Sequence, residues 1–376
     1  MNTAAFADAT TDAPAIPGAG DGLTPAWVTQ ALVAGGWRNA RVEALEMQRI
    51  GEGVGVLAEL YRLRPTYAPQ SAGGPASMIA KLRSSSPQVR ELCAAYGMYE
   101  RETRFYRDIA GAVGLRTPEP YFCAFDAATG DFVILMEDLA PAASPDQIAG
   151  ISLVELTAAV DAIATLHAHW WGDPRLAELR AIMPSAAEPP YAYVAENYRA
   201  CLPAALAGLR ARGHEPLARV AENIGGAIEA MLAAITTEPV TLAHGDFRVD
   251  NLMFRQTPAG PALTVVDWQV VMQVRGPFDL GYLMGGAAPT ELRRAQEMAL
   301  LRRYHDTLTR HGLAGYGFEA CQLDYRRAVL FSLVYWVEGF PVADRANPRS
   351  VALFDCWADR LAAAVQDLRL EAIVGA

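Results

Sequence analysis

Lysine is all but missing from this chain. Lysine and arginine together number 32, and only Lys81, in "SMIAKLRSS", is a lysine. Either residue serves on a surface, so a single retained lysine points to a place that needs a compact ammonium rather than a planar guanidinium fork. Paired cysteines are missing as well. The five cysteines, Cys93, Cys123, Cys201, Cys321 and Cys356, are odd in number and scattered, with no CxxC pair or His/Cys cluster. That excludes a disulfide framework and a structural zinc, and predicts a reduced, cytoplasmic protein. No apolar run approaches the roughly 18 to 20 residues of a bilayer-spanning helix, so no membrane association is expected. Positive charge is not in excess: the net charge of −10 gives no basic face for a nucleic acid and would repel one. Any phosphate that binds here is bound locally.

What is present suits two packed lobes. The 376 residues are 52% hydrophobic and 20% charged, enough apolar material for a substantial core. Residues 1–22, without the basic start and apolar stretch of a secretion signal, read as a flexible tail. Residues 23–138 read as a first lobe. Thr24 and Pro25 open a short helix. Strands "ARVEALEMQRI", "VLAELYRLRP" and "ASMIAKLR" follow, then one long helix from Pro87 to about residue 114 with Leu92, Tyr96, Tyr99, Phe105 and Ile109 as its buried stripe. The hairpin "EPYFCAFD" and "DFVILMEDL" completes about five antiparallel strands around one helix. Residues 139–376 read as mainly helical, with stretches at 152–171, 190–212, 216–235, 290–312, 319–338 and 348–370. One hairpin, "TLAHGDFRVDNLMF" with "ALTVVDWQ", lies among them.

That hairpin holds the chemistry. "HGDFRVDN" places His244, Asp246 and, five residues on, Asn251, with Asp267 of "VVDWQ" sixteen further. The spacing resembles the catalytic segment of the kinase superfamily. Phosphoryl transfer accounts for the residue types: a carboxylate orients and deprotonates a hydroxyl, while an amide and a second carboxylate hold Mg2+ against nucleotide phosphates. The resemblance implies Asp246 as base and Asn251 and Asp267 as metal ligands. Turn formation in a surface hairpin is the plainer account of such residues. His244 is expected to buttress the loop.

The same resemblance implies a lysine on the third strand that contacts ATP phosphates and pairs with a helical glutamate. Lys81 stands there. Glu100 and Glu102 both offer a carboxylate, and residues two apart on a helix face differently; Glu102 is preferred because it shares a face with Phe105 and Tyr106. Gly51, Gly53 and Gly55 of "GEGVG" could let backbone amides approach phosphates, or form an ordinary hairpin turn. The backbone from Glu137 to Leu139 is placed to hydrogen-bond adenine, or is a plain linker. Arg248, two residues after Asp246, either stabilises charge on the transferred group or pairs with Asp250.

Together, Lys81, Glu102, "MEDL", "HGDFRVDN", "VVDWQ" and "RGPFDLGYL" resemble the aminoglycoside phosphotransferase and choline kinase-like group, nearest to its ecdysteroid kinase-like members, over most of residues 40–290. "HGDFRVDN" with "DW" is also similar to kinase-like domains attached to some acyl-CoA dehydrogenases. The resemblance implies an α+β, protein-kinase-like two-lobe fold and an ATP- and Mg2+-dependent enzyme that phosphorylates a hydroxyl of a small molecule. Asp279 falls in a structural element of that group, and "IATLHAHWW" in its helix before the catalytic segment; a metal pair of His167 and His169 is disfavoured because the two point apart. Trp268 and Gln269 replace the Phe-Gly of protein kinases, and no activation segment separates them from "PFDLGYL". That argues for a small acceptor and a site without a phosphorylation switch. If Phe331, Tyr335, Trp336 and Phe340 line the cleft, an apolar or sterol-like alcohol fits better than a polycationic aminoglycoside, though aromatics so spaced are more often core. A nucleotide-binding pseudokinase acting as sensor or scaffold is the reading from another class.

Overall fold

The computed structural model describes residues 13–51, 57–71 and 73–374. It is α+β and separates into two compact units, one of residues up to Ala140 together with Asp267–Val270, the other of Pro141–Val266 and Val271 onward.

In the first unit, α1 (Pro25–Ala34) begins at Thr24, whose hydroxyl accepts the Trp27 N–H, with proline at the first turn. Strands β1 (Val42–Ile50), β2 (Ala58–Tyr67), β3 (Met78–Arg83), β4 (Pro120–Phe125) and β5 (Phe132–Glu137) form one antiparallel sheet in the order β1-β2-β3-β5-β4. Side chains alternate across a strand. Met78, Ala80 and Leu82 therefore join Trp27, Val28, Leu63, Val133 and Leu135 in a core under α1. Ile79 and Lys81 point to the opposite face.

Helices α2 (Pro87–Ala95) and α3 (Met98–Arg104) replace the single long helix expected there. Gly97 between them is left-handed at φ 61°, a conformation that ends a helix at little cost only for glycine. A π-helical turn, Phe105–Ile109, follows α3. The expected stripe is broken accordingly: Tyr99, Phe105 and Ile109 are buried, Tyr96 is half-buried and Leu92 is exposed. Residues 13–22, assigned to the tail by sequence, lie against the sheet. The Trp27 indole donates to the Ala15 carbonyl at 2.7 Å, Arg83 donates to the Gly18 carbonyl, and Ile16 packs on the core. Their few apolar residues are spent on this cover, which composition alone did not reveal.

The second unit is mainly helical: α4 (Leu153–Trp170), α5 (Arg175–Leu179), α6 (Val194–Ala211), α7 (Glu215–Ile235), then after four short strands α8 (Phe278–Gly286), α9 (Thr290–Arg310), α10 (Phe318–Gly339) and α11 (Pro348–Asp367). Ser152 and Glu155 form a capping box at α4. The expected hairpin is instead two small sheets: β7 (Leu252–Thr257) with β8 (Gly260–Val265), and β6 (Thr241–Ala243) with β9 (Met272–Val274). "HGDFRVDN" is thus a loop, closed by the 3-10 turn Val249–Asn251. Phe331, Trp336 and Phe340 are core rather than cleft lining; Trp336 stacks on Phe340 at 4.7 Å and is fully buried. Among the described residues no helix is long and apolar enough to cross a membrane.

Candidate active site

Lys81 is held by two carboxylates. Its Nζ lies 2.7 Å from Glu102 Oε1 and 2.9 Å from Asp267 Oδ1, with Lys81 and Glu102 buried and the Asp267 side chain 27% exposed. Burial alone would depress the ammonium, but two facing carboxylates more than offset it and raise the Lys81 pKa. Burial, reinforced by repulsion from Asp267, pushes the Glu102 carboxyl up against the attraction of Lys81. Glu100 stands apart, on the exposed side of α3 with Arg104.

The face of α3 that carries Glu102 also grips the segment containing Asp267. Arg101, 3% exposed, donates from Nη1 to the Gln269 carbonyl and from Nη2 to the Tyr96 carbonyl, each at 2.9 Å. Phe105 stacks on Trp268 with ring centres 4.1 Å apart and planes within 7°. Asp267 itself is left-handed at φ 67°, a conformation that costs a non-glycine residue about 1–3 kcal/mol and persists only where surrounding contacts fix it.

In the second unit, the loop after β6 is tied down from several sides. Gly245 is left-handed at φ 84°, and its N–H and that of His244 both donate to the buried Asp279 at the start of α8, at 2.9 and 2.7 Å. Asp279 is held in turn by His167, whose other ring nitrogen meets the Tyr304 hydroxyl. His244 Nε2 donates to the Val266 carbonyl, leaving Nδ1 to accept the Asp246 N–H, so its partners define the neutral Nε2–H tautomer. His244 is a buttress in this geometry. His169 points away from His167, toward Arg175.

Asp246 is three-quarters shielded, its side chain 25% exposed. Asn251 Nδ2 donates to its backbone carbonyl at 2.9 Å and to its carboxylate at 3.1 Å. Arg248 lies 3.1 Å from Asp250, the pairing considered for it, and 3.4 Å from Asp246. The Tyr282 hydroxyl sits beside Asp246, and burial followed by that carboxylate pushes its pKa well up. Tyr335 donates to the Gly245 carbonyl at 3.1 Å.

Of the remaining expected residues, Gly51 is left-handed at φ 74° at the end of β1, whereas Gly53 and Gly55 lie outside the described residues. The Glu137 N–H is already bonded to the Glu119 carbonyl, and Leu139 is buried. Arg101, the Phe105–Trp268 stack and Tyr282 were not anticipated. Arg101 is one of 31 arginines and carries no motif; Tyr282 had a weak signal, three residues after Asp279 on a short helix.

The ecdysteroid kinase-like family model matches residues 178–314. Among solved structures, a protein from Ralstonia eutropha assigned as an aminoglycoside phosphotransferase is 16% identical, covering 91% of this chain and 98% of its own, with a TM-score of 0.52. The GDP complex of aminoglycoside 2'-phosphotransferase-IIIa is 13% identical, covering 88% and 96%, with a TM-score of 0.50. Identities this low speak to the fold, which is the one these structures share. No curated protein matches the chain.

Proposed function

We propose that this chain, a small-molecule kinase by its fold and its ecdysteroid kinase-like segment, moves the γ-phosphoryl group of ATP to a hydroxyl of a small, largely apolar alcohol. The observation that carries this reading is the sole lysine of the chain, buried on β3 between Glu102 and Asp267.

Each residue has a task that its chemistry suits. The Asp246 carboxylate takes the proton of the acceptor hydroxyl as its oxygen bonds to γ-phosphorus and the bond to the β,γ-bridging oxygen breaks, releasing ADP. Lys81 binds the α- and β-phosphates with Glu102 fixing its ammonium, the Gly51 amide approaches the phosphates, and the backbone of Glu137 to Leu139 receives adenine. Arg248 stabilises charge on the transferred group. Mg2+ takes few protein ligands when phosphates and water complete its shell, and its preference is for hard oxygens. Asp267, part exposed, and Asn251 offer a carboxylate and an amide of that kind. When bound, Mg2+ supplies neutralisation of phosphate charge.

For the acceptor, Tyr282 and Tyr335, with ring centres 5.0 Å apart, bring two aromatic rings to the loop of Asp246, the Tyr282 hydroxyl beside its carboxylate and the Tyr335 hydroxyl on the Gly245 carbonyl. They suit an apolar body better than a polycation. Glu338, a carboxyl three residues beyond Tyr335 on α10, is the feature that favours the aminoglycoside reading. ATP turnover measured against alcohols, steroids and aminoglycosides decides between them. Acceptor-dependent turnover is expected to fall about 100-fold or more in Asp246→Asn, and more than twofold in Arg248→Ala. No acceptor-dependent turnover, with Asp246→Asn equal to the unaltered protein, ends the proposal.

A further inference from the structure

The break between α2 and α3 is used rather than merely tolerated. A helix leaves its last carbonyls without intrahelical partners, and Tyr96, the C-cap of α2, stands at such an end just before Gly97. Arg101 then donates to that carbonyl from one guanidinium nitrogen and to the Gln269 carbonyl from another, both at 2.9 Å. One rigid planar group so bridges the end of a helix and the backbone two residues past Asp267.

We propose that Arg101 is a positioning residue for Mg2+ binding: it fixes the 267–269 backbone, and with it the left-handed conformation that aims the Asp267 carboxylate. The inference rests on the reading of Asp267 as a metal ligand. Three observations on different atoms converge on it. Arg101 is 3% exposed, in a place where burying a cation is costly unless it is well bonded. Asp267, at φ 67°, needs external contacts to stay there. The flanking Trp268 is clamped by Phe105, one helical turn beyond Arg101 on the same helix end. A lysine at 101 has a single nitrogen and cannot hold two carbonyls in this fork geometry.

The test uses ATP and Mg2+ as probes and needs no acceptor. The rise in melting temperature produced by saturating ATP is followed as Mg2+ is added, for the full-length protein and for Arg101→Met, Arg101→Lys and Asp267→Asn. Groups that orient a metal ligand typically change metal affinity 10- to 100-fold. Arg101→Met is expected to need at least about 10-fold more Mg2+ for half the effect, and Arg101→Lys an intermediate amount, while the ATP effect without Mg2+ is unchanged. A Mg2+ midpoint in Arg101→Lys and Arg101→Met equal to the unaltered protein, alongside an Asp267→Asn that has lost its Mg2+ response, overturns the role of Arg101 alone. An Asp267→Asn with a normal midpoint overturns the metal-ligand reading and this inference with it. Should Arg101→Met not fold, Arg101→Lys decides.

Discussion

Lys81 shows how one residue type can be forced by its surroundings. Its ammonium touches two carboxylates inside a sheet face where an arginine's larger planar head would have to displace one of them. The pairing has a stability consequence. Lys81→Met leaves Glu102 buried without its counter-charge, and removing one partner of a buried pair costs about 3–5 kcal/mol. Denaturant unfolding should show a loss of that size, with at least half recovered in the double variant Lys81→Met with Glu102→Gln. Equal losses in the single and double variants would mean that the pair is not coupled. Glu102 was legible as the partner from helical spacing; that Asp267 also reaches Lys81 was not, because 186 residues separate them in sequence.

At the scale of elements, the seam between α6 and α10 carries a titrating group. Glu338 on α10 accepts a hydrogen bond from Asn197 on α6 at 3.0 Å. Burial raises its carboxyl to about 7, against a small lowering by Asn197. The folded protein therefore keeps this proton over a range where the unfolded chain, with an ordinary pKa of 4.5, has lost it. The stability Glu338 allows is present below that ordinary value and declines as pH rises toward about 7. At about 1.4 kcal/mol per pKa unit, discounted for partial exposure, the decline is on the order of 1–2 kcal/mol. Melting temperatures of Glu338→Gln and the unaltered protein should diverge between pH 5 and 7.5, roughly, with the glutamine variant the more stable at the upper end. A constant difference across that range would place the proton elsewhere. Most helices were legible because long apolar periodicity marks them, as in α7 and α11. The breaks were not: Gly97 ends a helix only through a left-handed backbone, and a lone glycine in a periodic run does not announce that.

For the whole molecule the question is whether nucleotide binding leads to transfer. A ligand that binds only the folded chain stabilises it by about 2.7 kcal/mol at 100 times its dissociation constant. ATP with Mg2+ should raise the melting temperature by a few degrees, roughly as expected for a chain of this length. The enzyme reading adds that an acceptor alcohol then consumes ATP. Stabilisation without transfer to any acceptor would mark a nucleotide sensor or scaffold. The same melts run with GTP decide whether the chain prefers an adenine or a guanine nucleotide.

The sequence by itself determined most of the elements and the residue types of the candidate chemistry. Short strand-like runs between turn-forming segments mark the five strands, helical periodicity marks most of the second unit, and the spacing of Asp246, Asn251 and Asp267 is a property of the chain. Tertiary structure decided how the charges meet beyond the Lys81–Glu102 pair. Lys81, Glu102 and Asp267 come together because β3, α3 and the segment at 267–270 pack into one unit, and Arg101 gained its place because a helix ended at Gly97. Local pattern encodes periodicity, but a buried charge finds its partner through contacts between distant segments, and no short window of sequence contains both.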